Sequence, residues 1–305
     1  MKLGENTMEL RNLITFCKIT HLKSYSKAAK ELGYAQSTIT TQIQLLEQEL
    51  NIKLFERIGR SIKLTSKGLI FLKYAQNIVN LAHEAKEAIN DTDIPTGTLR
   101  IGTVESLCTM KLPELLRNYH KKYPDVEIII KLGICSDLRD MLKNNIVDLI
   151  FILDDPVMDS DLISCMSYNE PMAVLASPLN KLAYKNNLTI EDIKDEPLIL
   201  TESGCSYRNA FEKIFHESGL SPHLSLEVGN VEAIKNFTMS NLGITLLPVM
   251  TVKKELAKKN LILLDLEGCE FNMMTQMLYH KNKWITAAMK TFIQMASTMP
   301  VTPTS

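Results

Sequence analysis

The sequence predicts an N-terminal all-α winged helix-turn-helix with a long linker helix, followed by a C-terminal α/β module. Three observations predict it. Residues 26–68 read SKAAKELGYAQSTITTQIQLLEQELNIKLFERIGRSIKLTSKG: a short helix with paired alanines, a glycine turn, a second helix with an uncharged polar face, and a basic segment. Residues 66–90 hold no proline, and no glycine after Gly68, as one long helix requires. After Gly97, strand-like and helix-like segments alternate, which gives a mostly parallel sheet covered by helices.

Residues 9–20 carry Leu10, Leu13, Ile14 and Cys17 on one face at helical spacing, with Thr7 as the expected N-cap. Ser26 is the expected N-cap of the next helix. Its small Ala28 and Ala29 admit a crossing helix, and Gly33 allows the positive φ of a sharp turn. The third helix is expected over residues 36–50, where Ile39, Ile43, Leu46 and Leu50 form a core stripe. Its other face carries Gln36, Ser37, Thr40, Thr41 and Gln44, side chains that hydrogen-bond without like-charge repulsion. Gln pairs with adenine, Ser and Thr with several base edges, and a Thr methyl packs on thymine. A solvated polar face is the competing account, and the absence of any charge in the helix's first ten residues counts against it. Arg57, Arg60 and Lys63 then recur in a glycine-containing hairpin-like segment, the place for a wing that touches phosphates or the minor groove. Along residues 66–90, Leu72, Ala75, Val79, Ala82, Lys86 and Ile89 alternate by three and four, as in a short coiled coil. Packing on the chain's own body is the alternative.

Charge supports this division. Residues 1–67 hold 11 Lys and Arg against 6 Asp and Glu, a balance of +5, whereas the remainder holds 23 against 29, a balance of −6. Basic charge therefore gathers where phosphates would be met. The six cysteines form no C-x-x-C, which argues against a zinc module or secreted disulfide scaffold and fits a reducing cytoplasm. No export signal is visible, and no window approaches the roughly 18 apolar residues of a membrane span. H-E-x-x-H, G-x-S-x-G, P-loop and G-x-G-x-x-G motifs are all missing, so no enzyme, catalytic residue, metal site or cofactor is expected.

The α/β part is expected to place strands over residues 98–103, 126–131, 148–153, 172–177, 198–201, 224–228 and 244–247. Helices are expected over 112–122, 137–144, 207–218, 231–240 and 285–296. Ligands of such sheets bind at strand C-termini beside helix N-termini, where free amides and the helix dipole favour an anion. Four segments qualify: Glu105 to Thr109, Gly133 to Ser136, Thr201 to Arg208, and Gly229-Asn230.

Residues 8–68 closely resemble the winged helix-turn-helix of LysR-type transcriptional regulators. The resemblance is carried by Phe16, the helix from Ser26 to Leu32, Gln36-Ser37-Thr38-Ile39-Thr40, Ile43, Leu46-Glu47, Leu54-Phe55-Glu56-Arg57, Arg60 and Leu64-Thr65-Ser66-Lys67-Gly68. It continues more loosely in LRIGTVES, LPELLRNYHKKYPDVEI, VDLIF and EAIKNFTMSNLGITLLP. Two residues depart from the family pattern. Ala35 replaces the usual capping Ser or Thr, and Thr41 stands where Arg is common. The resemblance implies a DNA-binding domain over 8–65 and a linker and dimerisation helix over 66–92. The effector module over 97–298 would resemble periplasmic solute-binding proteins, with one subdomain of 97–168 plus 269–298 and a second of 169–268. It further implies DNA contacts by Ser26, Gln36, Ser37, Thr40, Thr41, Arg57, Arg60 and Lys63 on an interrupted palindrome. Dimer contacts would come from Leu72, Ala75, Val79, Ala82 and Ile89, with pairing of dimers into a tetramer, and RNA polymerase is the implied further partner. Ser106, Cys108, Cys135, Ser136, Thr201, Ser203, Ser206, Arg208 and Asn230 are the expected effector contacts, with helix capping the bland alternative for each hydroxyl. Arg208 and the helix N-termini suggest a small carboxylate or other anion as effector, with a surface or salt-bridged arginine the stronger competing account of Arg208. A thiol sensor at Cys108, Cys135 and Cys205 competes with inert packing. A solute-binding protein is the rival reading, and it would leave residues 8–68 without a purpose.

Overall fold

The computed structural model describes residues 8–58, 61–89 and 94–298. The chain divides into two compact units, one N-terminal and one holding the α/β module.

In the first unit α1 (Leu10–Leu22), α2 (Tyr25–Leu32) and α3 (Gln36–Leu50) precede a two-stranded antiparallel wing, β1 (Phe55–Ile58) and β2 (Ser61–Leu64), and then α4 (Ser66–Ile89). Leu13, Phe16, Ile19, Ala28, Ala29, Ile39, Ile43, Leu46, Leu54 and Ala75 form its core. The Phe16 ring lies 5.3 Å from both Phe55 and Phe71, tying wing and long helix to α1. Gly33 closes α2 at φ 70°, a conformation that costs a side-chain-bearing residue more. At Gly68 the wing's end runs so close that a Cβ would sit 2.2 Å from the Leu54 carbonyl oxygen.

Three expectations are corrected in this unit. Ser24, not Ser26, caps α2: its Oγ accepts from the Lys27 amide at 3.3 Å, and Ser26 lies exposed in the first turn. Glu9 stands at the α1 cap position, and Thr7 lies outside the described residues. On α4, Leu72, Ala75 and Val79 pack on the unit's own core, because α1 lies against that face. The exposed apolar side carries Ile70, Tyr74, Ile78, Leu81 and Ile89 instead, so of the expected dimer contacts only Ile89 stands on it. Ala82 is half-buried.

In the second unit β3 (Gly97–Thr103), α5 (Glu105–Met110), α6 (Leu112–Lys122), β4 (Val126–Leu132), α7 (Cys135–Lys143), β5 (Leu149–Asp154) and β6 (Leu162–Asn169) build one half. The chain then crosses to β7 (Met172–Ala176), β8 (Leu198–Leu200), α8 (Ser206–Glu217), β9 (Leu224–Glu227), α9 (Val231–Met239), β10 (Thr245–Pro248), α10 (Val249–Ala257) and β11 (Ile262–Leu263). It returns with β12 (Met274–His280) and α11 (Ala287–Ser297). The first sheet runs β4-β3-β5-β12-β6, parallel among β4, β3 and β5, with β12 antiparallel to both its neighbours. The second half pairs β10-β7-β11 antiparallel and β8-β9 parallel, joined by a bridge between Leu198 and Ile244. β5 is buried along its length. Leu149, Phe151 and Leu153 face the large shared core, and Ile150 and Ile152 face α7 with Leu138 and Leu142, as helices on both faces of a sheet demand.

The two crossings touch. The Glu170 amide donates to the Met273 carbonyl at 2.8 Å. The buried Glu170 carboxylate accepts from Thr275 Oγ1 at 3.0 Å and stands 3.9 Å from Lys111 Nζ.

Candidate nucleic-acid interface and effector seam

The exposed side of α3 presents Gln36, Ser37, Thr41 and Gln44, with Thr40 half-buried among them. Thr40 Oγ1 donates to the Gln36 carbonyl at 2.9 Å. Its hydroxyl proton is thereby used, and what remains to offer is a lone pair and a methyl group, suited to a base amino group and to thymine. A groove of about 300 Å³ lies between α3 and the wing, lined by Tyr25, Gln36, Thr40, Gln44, Lys53 and Arg57 among others. Glu47 fixes its width: Oε1 accepts from the Leu54 and Phe55 amides at 2.8 and 3.4 Å, and Oε2 pairs with Lys53 at 2.6 Å. Sequence reading had Glu47 only as a family match, and its spacing seven residues before Leu54 carries no local signal.

Arg57 pairs with Ile62 across the wing and Lys63 with Glu56. A three-residue repeat does not keep one face in a strand of period two, so the two exposed cations project from opposite faces of the ribbon. Arg60 lies outside the described residues.

In the second unit the four expected segments meet at the seam between its halves, where α8 packs against β5. Ser106, on the first turn of α5, is 1% exposed, and its Oγ has no hydrogen-bond partner among the described residues. Thr201, after β8, is 4% exposed; its Oγ1 lies beside the Cys205 thiol and makes no hydrogen bond of ordinary geometry. Cys135 is buried, its Sγ donates to the Leu153 carbonyl at 3.3 Å, and Ser206 from the other half is its neighbour. Ser136 and Ser203 are exposed at the rim, and Cys108 is half-buried.

Burial pushes the Cys135 thiol up to about 12, with Asp154 adding to it, and raises Cys108 and Cys205 as well. Oxidant sensing starts from the thiolate, and burial works against that form at all three.

At Arg208 the structure gives the salt-bridged alternative in place of an open ligand clamp. Arg208 is buried, with Nε on Glu212 Oε1 at 2.8 Å and a terminal nitrogen on both Glu227 Oε2 and the Thr201 carbonyl at 2.7 Å. The guanidinium holds α8 to β9 and to the loop after β8. Of the two supports for an anionic effector, Arg208 and the helix N-termini, the first is taken up by these partners. Asn230 caps α9, its Oδ1 accepting from the Ala233 amide at 2.8 Å. Its Nδ2 donates to Glu105 Oε1, also at 2.8 Å, and the Val231 amide donates to Glu105 Oε2 at 3.1 Å. In the sequence Glu105 is only one member of a qualifying loop. Its partner is 125 residues away, a pairing that no local pattern encodes.

Among the described residues, no three His, Cys, Asp or Glu side chains converge as metal ligands do, and no helix is long and apolar enough to cross a membrane.

Comparison with known proteins gives a consistent result. Residues 10–69 match the family model described as bacterial regulatory helix-turn-helix protein, lysR family, and residues 92–299 match the LysR substrate binding domain. The uncharacterized HTH-type transcriptional regulator YwqM of Bacillus subtilis is 38% identical over 289 residues, 94% of this chain and 98% of that protein. The HTH-type transcriptional regulator SoxR of Arthrobacter is 32% identical, covering 97% and 99% respectively. Among solved structures, a full-length OxyR variant from Pseudomonas aeruginosa superposes with a TM-score of 0.72 at 20% identity, covering 96% of this chain and 94% of that one.

Proposed function

The chain belongs to the LysR family of transcriptional regulators, and we propose that it reads its operator chiefly through Gln36, Ser37 and Thr40. As a member of that family it is a DNA-binding transcription regulator with an effector-binding domain. The observation that carries the reading of these residues is the uncharged, hydrogen-bonding face of α3 standing exposed beside the wing groove. Arg57 and Lys63, on opposite faces of the wing, serve phosphates on either side of it. A solute-binding protein would have no use for residues 10–69.

Two copies pair through the exposed stripe of α4, and two such dimers meet an interrupted palindrome in the cytoplasm, with RNA polymerase as the further partner. A small molecule binds at the seam of the α/β unit against the Ser106 and Thr201 hydroxyls. It acts by favouring one arrangement of the two halves over another, which requires different affinities for the two.

The test is fluorescence anisotropy with duplex DNA from the region upstream of the protein's own gene. Gln36→Ala is expected to weaken specific binding by about 1–3 kcal/mol and leave non-specific binding near its original level. Lys63→Ala is expected to weaken binding to all sequences alike and lower the salt slope by about 1. Wild-type protein without salt-dependent DNA binding would overturn the reading.

A further inference from the structure

We propose that Glu105 is a built-in carboxylate that sets the class of effector this module accepts: a neutral or ammonium-bearing polar molecule rather than a carboxylate or phosphate. The proposal rests on the effector-binding reading above and names the chemistry of that same seam.

The N-terminus of α9 is the place where an anion would be expected to sit, because amide donors and the helix dipole converge there. It is already filled. Glu105 reaches across from the other half and spends both carboxylate oxygens, one on Asn230 Nδ2 at 2.8 Å and one on the Val231 amide at 3.1 Å. A second carboxylate stands at the same turn: Glu202 Oε2 lies 3.4 Å from where a Cβ of Gly229 would be. Both Glu202 and Glu105 lie close enough to the buried Tyr207 phenol to add to the rise that burial gives it. An incoming anion would meet two like charges. Arg208, the one cation in the four seam segments, is engaged by Glu212, Glu227 and the Thr201 carbonyl.

What the seam offers instead is neutral. Ser106 follows Glu105 and Thr201 precedes Glu202, and both hydroxyls are more than nine-tenths buried without a conventional partner. Buried polar groups are rarely left so. A ligand hydroxyl, amide or ammonium group satisfies them, and an ammonium also finds Glu202. Glu105 ties the first half to the second, so the residue that excludes anions also holds the seam shut.

The probes are ethanolamine and glycolate, matched in size and opposite in charge, added to the full chain at equal concentration and ionic strength while melting is followed. Wild-type protein is expected to be stabilised more by ethanolamine. Glu105→Ala is expected to melt roughly 2–4 °C lower, to prefer glycolate, and to recover at least half of the loss in it. Glu105→Gln, which keeps an acceptor and drops the charge, is expected to move toward glycolate without the full loss. A wild-type preference for glycolate overturns the proposal. So does a Glu105→Ala protein that keeps the wild-type preference, since that makes Glu105 a tether alone. DNA binding measured on the same samples separates the two readings: its absence in wild type counts against the regulator, and an unaltered ligand preference counts against Glu105.

Discussion

Glu170 sits where the chain passes from one half of the α/β unit to the other, and burial raises its pKa above the ordinary 4.5, with Lys111 and Thr275 pulling the other way. A carboxyl raised on folding holds its proton longer in the native state than in the unfolded chain. Its contribution to stability is therefore fully present below the ordinary value and declines as pH rises through the raised one. The difference in melting temperature between wild type and Glu170→Gln is expected to fall as pH is increased from 4.5 toward neutrality. A difference that grows over that range would mean that Lys111 governs the site. No sequence pattern marks Glu170 as buried, because its partners Lys111 and Thr275 lie 59 and 105 residues away. The position of two hydroxyls is more legible: Ser106 and Thr201 follow β3 and β8 closely, so local order alone places them at strand ends.

At the scale of elements, α3 begins without a cap. Ala35 has the extended backbone of an N-cap, φ −69° and ψ 148°, but no side chain to receive an amide. Ala35→Ser is expected to stabilise the first unit by about 1 kcal/mol, read as a higher denaturant midpoint at unchanged slope. The α4 helix carries the other prediction here. Leu81 is 62% exposed on the stripe with Ile70, Tyr74 and Ile78, and burying a leucine is worth about 1.5–3 kcal/mol. Leu81→Glu is expected to weaken dimerisation by at least about tenfold in light scattering, with the unit's own stability nearly unchanged. Val79→Glu is expected to do the reverse, because Val79 packs on the core. The periodicity of α4 was legible in the sequence, but its assignment to a partner was not. Two apolar stripes share this helix, and only the placement of α1 decides which one is used inside the unit. The boundaries of α3, by contrast, agree with the reading of residues 36–50, since one stripe and one polar face leave no rival. β6 and β12 escaped because LISCMSYN and MTQMLYH lack a clean two-residue alternation. β12 meets a core on both faces, Met277 on one and Leu278 on the other, and neighbouring strands supply the pairing that the sequence does not advertise.

For the molecule as a whole, the α/β unit is threaded twice. β12 lies between β5 and β6, and α11 packs against α6 and β3. Tyr119 on α6 donates to the Ala288 carbonyl at 2.8 Å. The first half is therefore completed only by the last forty or so residues, and β5 loses an entire neighbour without them. A chain ending at residue 268 is expected to leave its α/β part unfolded and protease-sensitive while residues 8–89 keep their helical signal and melting transition. Protection of the truncated α/β part from protease would contradict the topology described here.

The same threading sets a schedule during synthesis. The helices and wing of the DNA-reading unit are made by residue 89 and its last contacts, from Asn144 to Ile146, about fifty residues later, whereas the sensing unit waits for β12 and α11. At roughly 5–20 residues per second, the gap of about 150 residues between Ile146 and the end of α11 lasts some tens of seconds at the slower rate. Throughout it the nascent chain carries the DNA-reading fold without a completed effector seam. A young chain therefore presents the face that reads DNA before the seam that would take a ligand exists.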